Sequence, residues 1–155
     1  MPTSTRSAEA AGLLDGWVLL FARIAIAPLF LYSGVGKVMA FTATASRLPG
    51  GADCFGALLA AGALTVELGC GTALILGLFA RPAAMVLIPF TIAATFMFHN
   101  FWAAPEAQVV MQTINFLKNL GLVGALAMIA TYGPGAYSAQ GFSKSGLRGV
   151  AGLSP

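Results

Sequence analysis

Four long apolar stretches run along the chain, at about residues 16–40, 54–79, 82–102 and 108–132. Each is close to the roughly 20 residues a helix needs to cross a bilayer. Between them the residue types change. Phe41 to Asp53 is rich in small residues, with Pro49-Gly50 as its strongest turn signal, and reads as a connecting loop. Arg81-Pro82 makes a tight connection, with Pro82 suited to a first helical turn. Ala103 to Ala107 turns the chain into the last stretch, which Gly133-Pro134-Gly135 stops. Residues 1–15 are small, polar and without apolar period, and predict a mobile tail; residues 136–155 predict a loop-like C-terminal tail. The pattern predicts an all-α fold, an antiparallel four-helix transmembrane bundle over residues 16–135.

The polar positions inside these stretches fall on stripes. In the fourth, Gln108, Gln112, Asn115, Lys118 and Asn119 share one side of a helix. In the first, Arg23, Phe30, Ser33 and Lys37 share a face, with Pro28 bending the helix between them. The second carries a single charge, Glu67, among glycines that let another helix come close. In the third, Thr91, Thr95 and His99 form a weaker stripe.

Composition agrees with a membrane environment. With 58% hydrophobic and 8% charged residues, the chain has too little polar surface for a soluble domain of 155 residues, so lipid is its first partner. The first apolar stretch is too long for a signal peptide and carries Arg23, which favours an uncleaved helix. A net charge of +3 spread over few groups, with no run of Lys or Arg, gives no footing for nucleic acid.

Four spans bring both termini to one side. Placing that side in the cytoplasm puts Arg6, Arg81, Lys144 and Arg148 inside and Lys37 and Arg47 outside. Glu67 then falls near the midplane, Lys118 somewhat outward, Arg23 in the inner half, and Lys37 and His99 at the outer rim. The expectation is that Glu67 pairs with Lys118 while Arg23 reaches the same carboxylate from below. One carboxylate facing two cations would favour an anionic or electron-rich oxygen ligand. Alternatively, the charges and amides hold helix register without any ligand.

Other chemistries lack their residues. Cys54 and Cys70 are about 24 Å apart along one helix, beyond disulfide reach, and there is no CxxC pair. One histidine and no cysteine cluster argue against zinc, iron–sulfur or bis-histidine haem, so no metal ligands are assigned. The glycines lie inside apolar helices, without the strand-to-helix setting of a nucleotide fingerprint. Phe96, Phe98, Phe101 and Trp102 fit an interfacial aromatic belt.

Arg23, Ser33-Gly34-x-x-Lys37, Glu67, Gly77-x-x-x-Arg81, His99, Lys118-Asn119 and Gly133-Pro134-Gly135, in that order and spacing, resemble the DoxX family of small bacterial membrane proteins. The resemblance runs from about Arg23 to Ser138. It implies a four-helix protein of the bacterial inner membrane linked to redox systems, including thiosulfate and quinone oxidoreduction and complexes with thiol- and superoxide-handling enzymes. Family members commonly continue into a Ser-Leu-Asp-like ending, where this chain has Tyr137-Ser138-Ala139-Gln140.

The expected function is therefore a membrane subunit of an oxidoreductase system. A quinone or small anionic substrate would be held by Arg23, Ser33, Lys37, Gln112, Asn115 and Asn119, with Glu67, His99 and Lys118 handling protons and charge. The chain supplies no intrinsic electron carrier, so a quinone or a redox-enzyme partner subunit would provide it. The alternative is a non-catalytic anchor or assembly factor. A small-solute carrier is a third class, which would need a homo-oligomer to form a pathway.

Overall fold

The computed structural model describes the backbone of residues 3–142 and the side chains of residues 14–142. Lys144 and Arg148, used above to orient the chain, lie outside the described residues, as does the side chain of Arg6. The element order is α1 (Thr3–Met39), α2 (Phe41–Ala45), α3 (Cys54–Leu76), α4 (Ala80–Phe98) and α5 (Glu106–Tyr132), with a single 3-10 turn at Phe101–Ala103. Four segments are long and apolar enough to cross a membrane: Leu14–Met39, Cys54–Leu76, Ala80–Ala103 and Glu106–Tyr132. The all-α four-helix transmembrane bundle expected from the apolar pattern is the fold observed.

Two stretches differ from their expected conformation. α1 reaches back to Thr3, through residues where a tail was expected. Ala8, Ala10, Ala11, Leu13 and Leu14 are strong helix formers that extend an existing helix without a new nucleation step. Within the 41–53 connection, Phe41–Ala45 forms a short helix that packs on α3. Gly56 makes that packing possible, because a Cβ there would collide with the backbone carbonyl of Gly51.

Helix ends follow local chemistry. Asp53 caps α3, its Oδ1 accepting from the backbone N–H of Phe55 at 2.9 Å and of Gly56 at 3.0 Å. Gly77, at φ 64°, ends α3 in the left-handed conformation that glycine tolerates. Pro28 and Pro89 lie inside helices that continue past them. At the start of α5, Glu106 places negative charge against the positive end of the helix dipole.

The helices pack as a row, α1 on α3, α3 on α4 and α4 on α5, and only a slight contact joins α1 to α5. The buried core lies towards the end that holds the N-terminal half of α1. Ile26, Ala27 and Phe30 meet Leu74, the alanines Ala80, Ala83 and Ala84, Leu87, Leu126 and Ile129. At that end the rings of Trp17 and Tyr137 are 4.5 Å apart, so the start of the first span and the segment after α5 lie together. At the opposite, distal end, Phe101, Trp102 and Phe116 pack edge to face across the α4–α5 connection. Between these two ends lie the polar side chains.

Candidate functional site

Glu67 sits near the middle of α3 and is 4% exposed. Its Oε1 accepts hydrogen bonds from Lys37 Nζ at 2.8 Å and from Ser33 Oγ at 3.0 Å. Lys37 Nζ also donates to Ser33 Oγ at 2.8 Å, closing a triangle. Ser33 and Lys37 stand one turn apart on α1, with Gly34 beside them. A Cβ on Gly34 would stand 2.7 Å from a methyl of Leu68 and 3.3 Å from the Glu67 Cβ. The missing side chain thus lets α1 close on α3 at the level of the carboxylate, bringing serine and lysine within reach. Glu67 Oε2 is buried and has no hydrogen-bond partner.

The expected Glu67–Lys118 pair is not formed. Lys118 is exposed on α5, while the carboxylate is answered from α1. By depth alone Lys118 suits Glu67 better than Lys37, which was expected at the outer rim and instead reaches the acid. α1 packs directly against α3, whereas α5 packs mainly on α4, so only Lys37 is brought to the acid.

Arg23 also departs from its expected role. It is fully buried, and its guanidinium donates to the carbonyl oxygens of Leu74 at 3.0 Å and Ile75 at 3.1 Å, and to that of Tyr137. These acceptors include carbonyls of the last turn of α3, where Leu74 O also accepts from the capping Gly77 N–H at 3.1 Å, and the cation faces the negative end of the α3 dipole. Arg23 therefore fastens α3 to the segment after α5. It lies ten positions from Ser33 in the sequence, about 15 Å along the helix, and does not approach Glu67.

The α4 and α5 polar groups form two levels. At the distal end, His99 Nδ1 and Gln112 Oε1 are 2.9 Å apart, so the ring donates through Nδ1 to the amide oxygen. This contact and the Phe96–Phe116 pair set an antiparallel register that places Thr91 level with Asn119 to Gly121. The α3–α4 hairpin, turning at 77–79, sets Glu67 opposite Pro89, within about 3 Å of the level of Thr91. Thr95 Oγ1 donates to Thr91 O at 2.6 Å, but Thr91 Oγ1 is buried without a partner. Asn115 and Asn119 are half-buried, and neither side chain makes a hydrogen bond among the described residues. One mid-depth level thus carries an unpartnered carboxylate oxygen, an unpartnered hydroxyl and a free amide.

The structure therefore unites Ser33, Lys37 and Glu67 in one centre and His99 with Gln112 in another, sets Asn119 beside the first by depth, leaves Asn115 between the two levels, and separates Arg23 and Lys118 from both. Sequence reasoning missed the carbonyl acceptors of Arg23, since backbone groups leave no trace in residue type. It also missed a cavity of about 460 Å³ near the Arg23 end of the bundle, lined by Arg81, Pro82, Tyr132, Pro134, Gly135, Gln140 and Gly141. There Arg81 Nη2 donates to Tyr132 O at 3.4 Å, and Gly133 at φ 85° leaves room for the guanidinium. The Gly-Pro-Gly segment was the available signal. Cys54 and Cys70 are both free thiols.

Against known proteins, a sequence model of the DoxX family matches residues 18–100, which contain Ser33, Lys37, Glu67, Thr91 and His99. The chain is 33% identical over 121 residues to the inner membrane protein YphA of Escherichia coli K12, covering 78% of this chain and 86% of the relative. It is 31% identical over 121 residues to the inner membrane protein YqjF of the same organism, covering 77% and 87%. No solved structure matches the chain significantly.

Proposed function

The chain belongs to the DoxX family and is an integral membrane protein, and on that premise we propose that it serves as a membrane subunit of a redox system with a quinone site around Glu67. The observation that carries this reading is that two of the three unpartnered buried side-chain atoms among the described residues, Glu67 Oε2 and Thr91 Oγ1, lie at similar depth in a bundle loosely closed between α1 and α5, the third being Arg23 Nε. An unpartnered buried polar atom costs about 1–3 kcal/mol, more for a charged one, and a ligand with matching groups removes that cost.

The donor set suits a quinone. Thr91 Oγ1 and the amide of Asn119 can donate to a quinone carbonyl, and Glu67 Oε2 can accept from the hydroxyl of the reduced form. A bound quinone would supply two-electron, two-proton carrier chemistry, with electrons exchanged with a partner's cofactor. Within the chain, Ser33 and Lys37 hold Oε1 and leave Oε2 as the oxygen that takes or gives a proton. Lys37, 22% exposed on its side chain, pairs with Oε1 from the α1 side. His99 and Gln112 stand towards the distal surface, where the imidazole can exchange protons with water. A small anion is the weaker candidate, because the cation of this centre is already matched by Glu67. The protein is placed in the inner membrane, in line with the names of its relatives, and the Arg6, Arg81, Lys144 and Arg148 side of the chain is placed in the cytoplasm on its excess of basic residues.

Gentle purification followed by mass spectrometry of bound lipophilic molecules, with Glu67→Gln and Thr91→Val in parallel, tests this reading. Quinone should be retained by the parent protein and lost from both variants. Absence of quinone from a folded parent protein that also fails to bind added quinone would refute it. The closed Lys37–Ser33–Glu67 triangle favours a second reading, a non-catalytic anchor whose polar network holds α1 to α3. Full retention of function by a folded Lys37→Met/Glu67→Leu variant selects that reading instead.

A further inference from the structure

Lys118 is exposed on α5 and makes no hydrogen bond or ion pair among the described residues. It lies twelve positions after Glu106 and fourteen before Tyr132, the ends of the span. At about 1.5 Å per residue, those ends are about 18 and 21 Å away along the axis. The midplane of a hydrocarbon core about 30 Å thick is therefore close, and the ammonium cannot reach water at either interface along its four-carbon stem. A lysine in this position requires a partner.

We propose that α5 docks onto a transmembrane helix of another protein that carries a carboxylate at the matching depth, with Lys118 as its ion-pair partner. The surface around Lys118 suits a helix. Met111 and Ile114 on the same side are 61% and 43% exposed and give apolar contact. Gly121 lies one turn along, and a Cβ there would meet nothing within 4 Å. A glycine on an open face lets a second backbone come close, which strengthens packing in lipid where apolar area alone gives little drive.

Charge chooses between a foreign helix and a second copy. A symmetric α5–α5 contact would bring Lys118 against Lys118. The acids of a second copy whose side chains are described do not answer it at that depth: Asp53 and Glu106 lie at the distal ends of their helices, Asp15 lies at the opposite end of its span, and Glu67 is buried against Lys37; Glu9 precedes Asp15 by six positions, outside the first span. A carboxylate from a different chain satisfies the lysine. This inference does not depend on a ligand at Glu67, since Lys118 lies outside that centre.

The test uses the full chain reconstituted in phosphatidylcholine vesicles and three synthetic Leu/Ala transmembrane peptides carrying one central Glu, Gln or Lys. Association is read by energy transfer between labels on protein and peptide. The Glu peptide should bind about tenfold more tightly than the Gln peptide, as a polar interhelical contact of 1–2 kcal/mol implies. Lys118→Met should abolish the difference, and Lys118→Glu should transfer the preference to the Lys peptide. Equal binding of all three peptides, or a Glu preference that survives Lys118→Met, overturns the proposal. So does disulfide crosslinking of Ile114→Cys between two copies in vesicles, in a Cys54→Ser/Cys70→Ala background, that excludes the Glu peptide.

Discussion

Lys37→Met isolates the contact that holds the mid-depth centre together. Lys37 is the cation in the salt bridge to Glu67, at 2.8 Å, and the Glu67 side chain is 5% exposed. Removing one partner of a buried pair costs about 3–5 kcal/mol, because the other charge stays desolvated and unpaired. Here the cost should fall near 3 kcal/mol, since the Lys37 side chain is 22% exposed and Ser33 Oγ still donates to Oε1. Glu67→Gln leaves acceptor and donor atoms in place and should cost about 1–2 kcal/mol. Lys37→Met/Glu67→Leu removes both charges. It should recover about 2 kcal/mol relative to Lys37→Met alone, as apolar replacement of buried ion pairs does elsewhere. Lys118→Met should not destabilise the isolated protein, because it removes a charge that has no partner among the described residues. Reversible unfolding in mixed detergent micelles, followed by far-ultraviolet circular dichroism, measures each value. A Lys118→Met loss as large as that of Lys37→Met, coupled to Glu67→Leu, would show that the carboxylate is answered from α5 and refute the geometry.

Arg23→Leu should lower stability by about 4 kcal/mol in the same assay, because it strips three charge-assisted bonds from one buried and two part-buried carbonyls. Each such bond is worth about 1.5–3 kcal/mol and they are not additive. Arg23→Lys should recover only part of this, as one ammonium cannot span acceptors on α3 and at Tyr137; full recovery would argue against the bridging role. Gly56→Ala should cost about 2–3 kcal/mol, since its Cβ meets the fixed carbonyl of Gly51, while Gly62→Ala in the open part of α3 should be neutral or stabilise by up to about 1 kcal/mol. Equal melting shifts for these two variants would contradict the packing of the 41–53 connection. His99→Leu and Gln112→Leu should show a coupling of about 0.5–1 kcal/mol in a double-mutant cycle; strictly additive losses would mean that the 2.9 Å contact contributes nothing.

The sequence by itself determined the four spans, the helix stop at Gly133-Pro134-Gly135, the single acid of α3 and the polar faces of α4 and α5. Apolar length, turn chemistry and helical period are local properties, and residue order alone carries them. Boundaries were less legible: α1 extends back to Thr3, and Phe41–Ala45 is helical where only a loop was read. Partner choice belonged to the tertiary structure. Depth along a helix is countable from residue number, and by depth Lys118 suited Glu67 at least as well as Lys37. Which helix packs on which, and which face turns inward, depends on close approaches such as Gly34 against Leu68. Those approaches gave Glu67 to Lys37, turned Arg23 onto the carbonyls at the end of α3, and left Lys118 on an open face. The residues were legible in advance; their pairing followed from the rotation of each helix about its own axis, which packing alone sets.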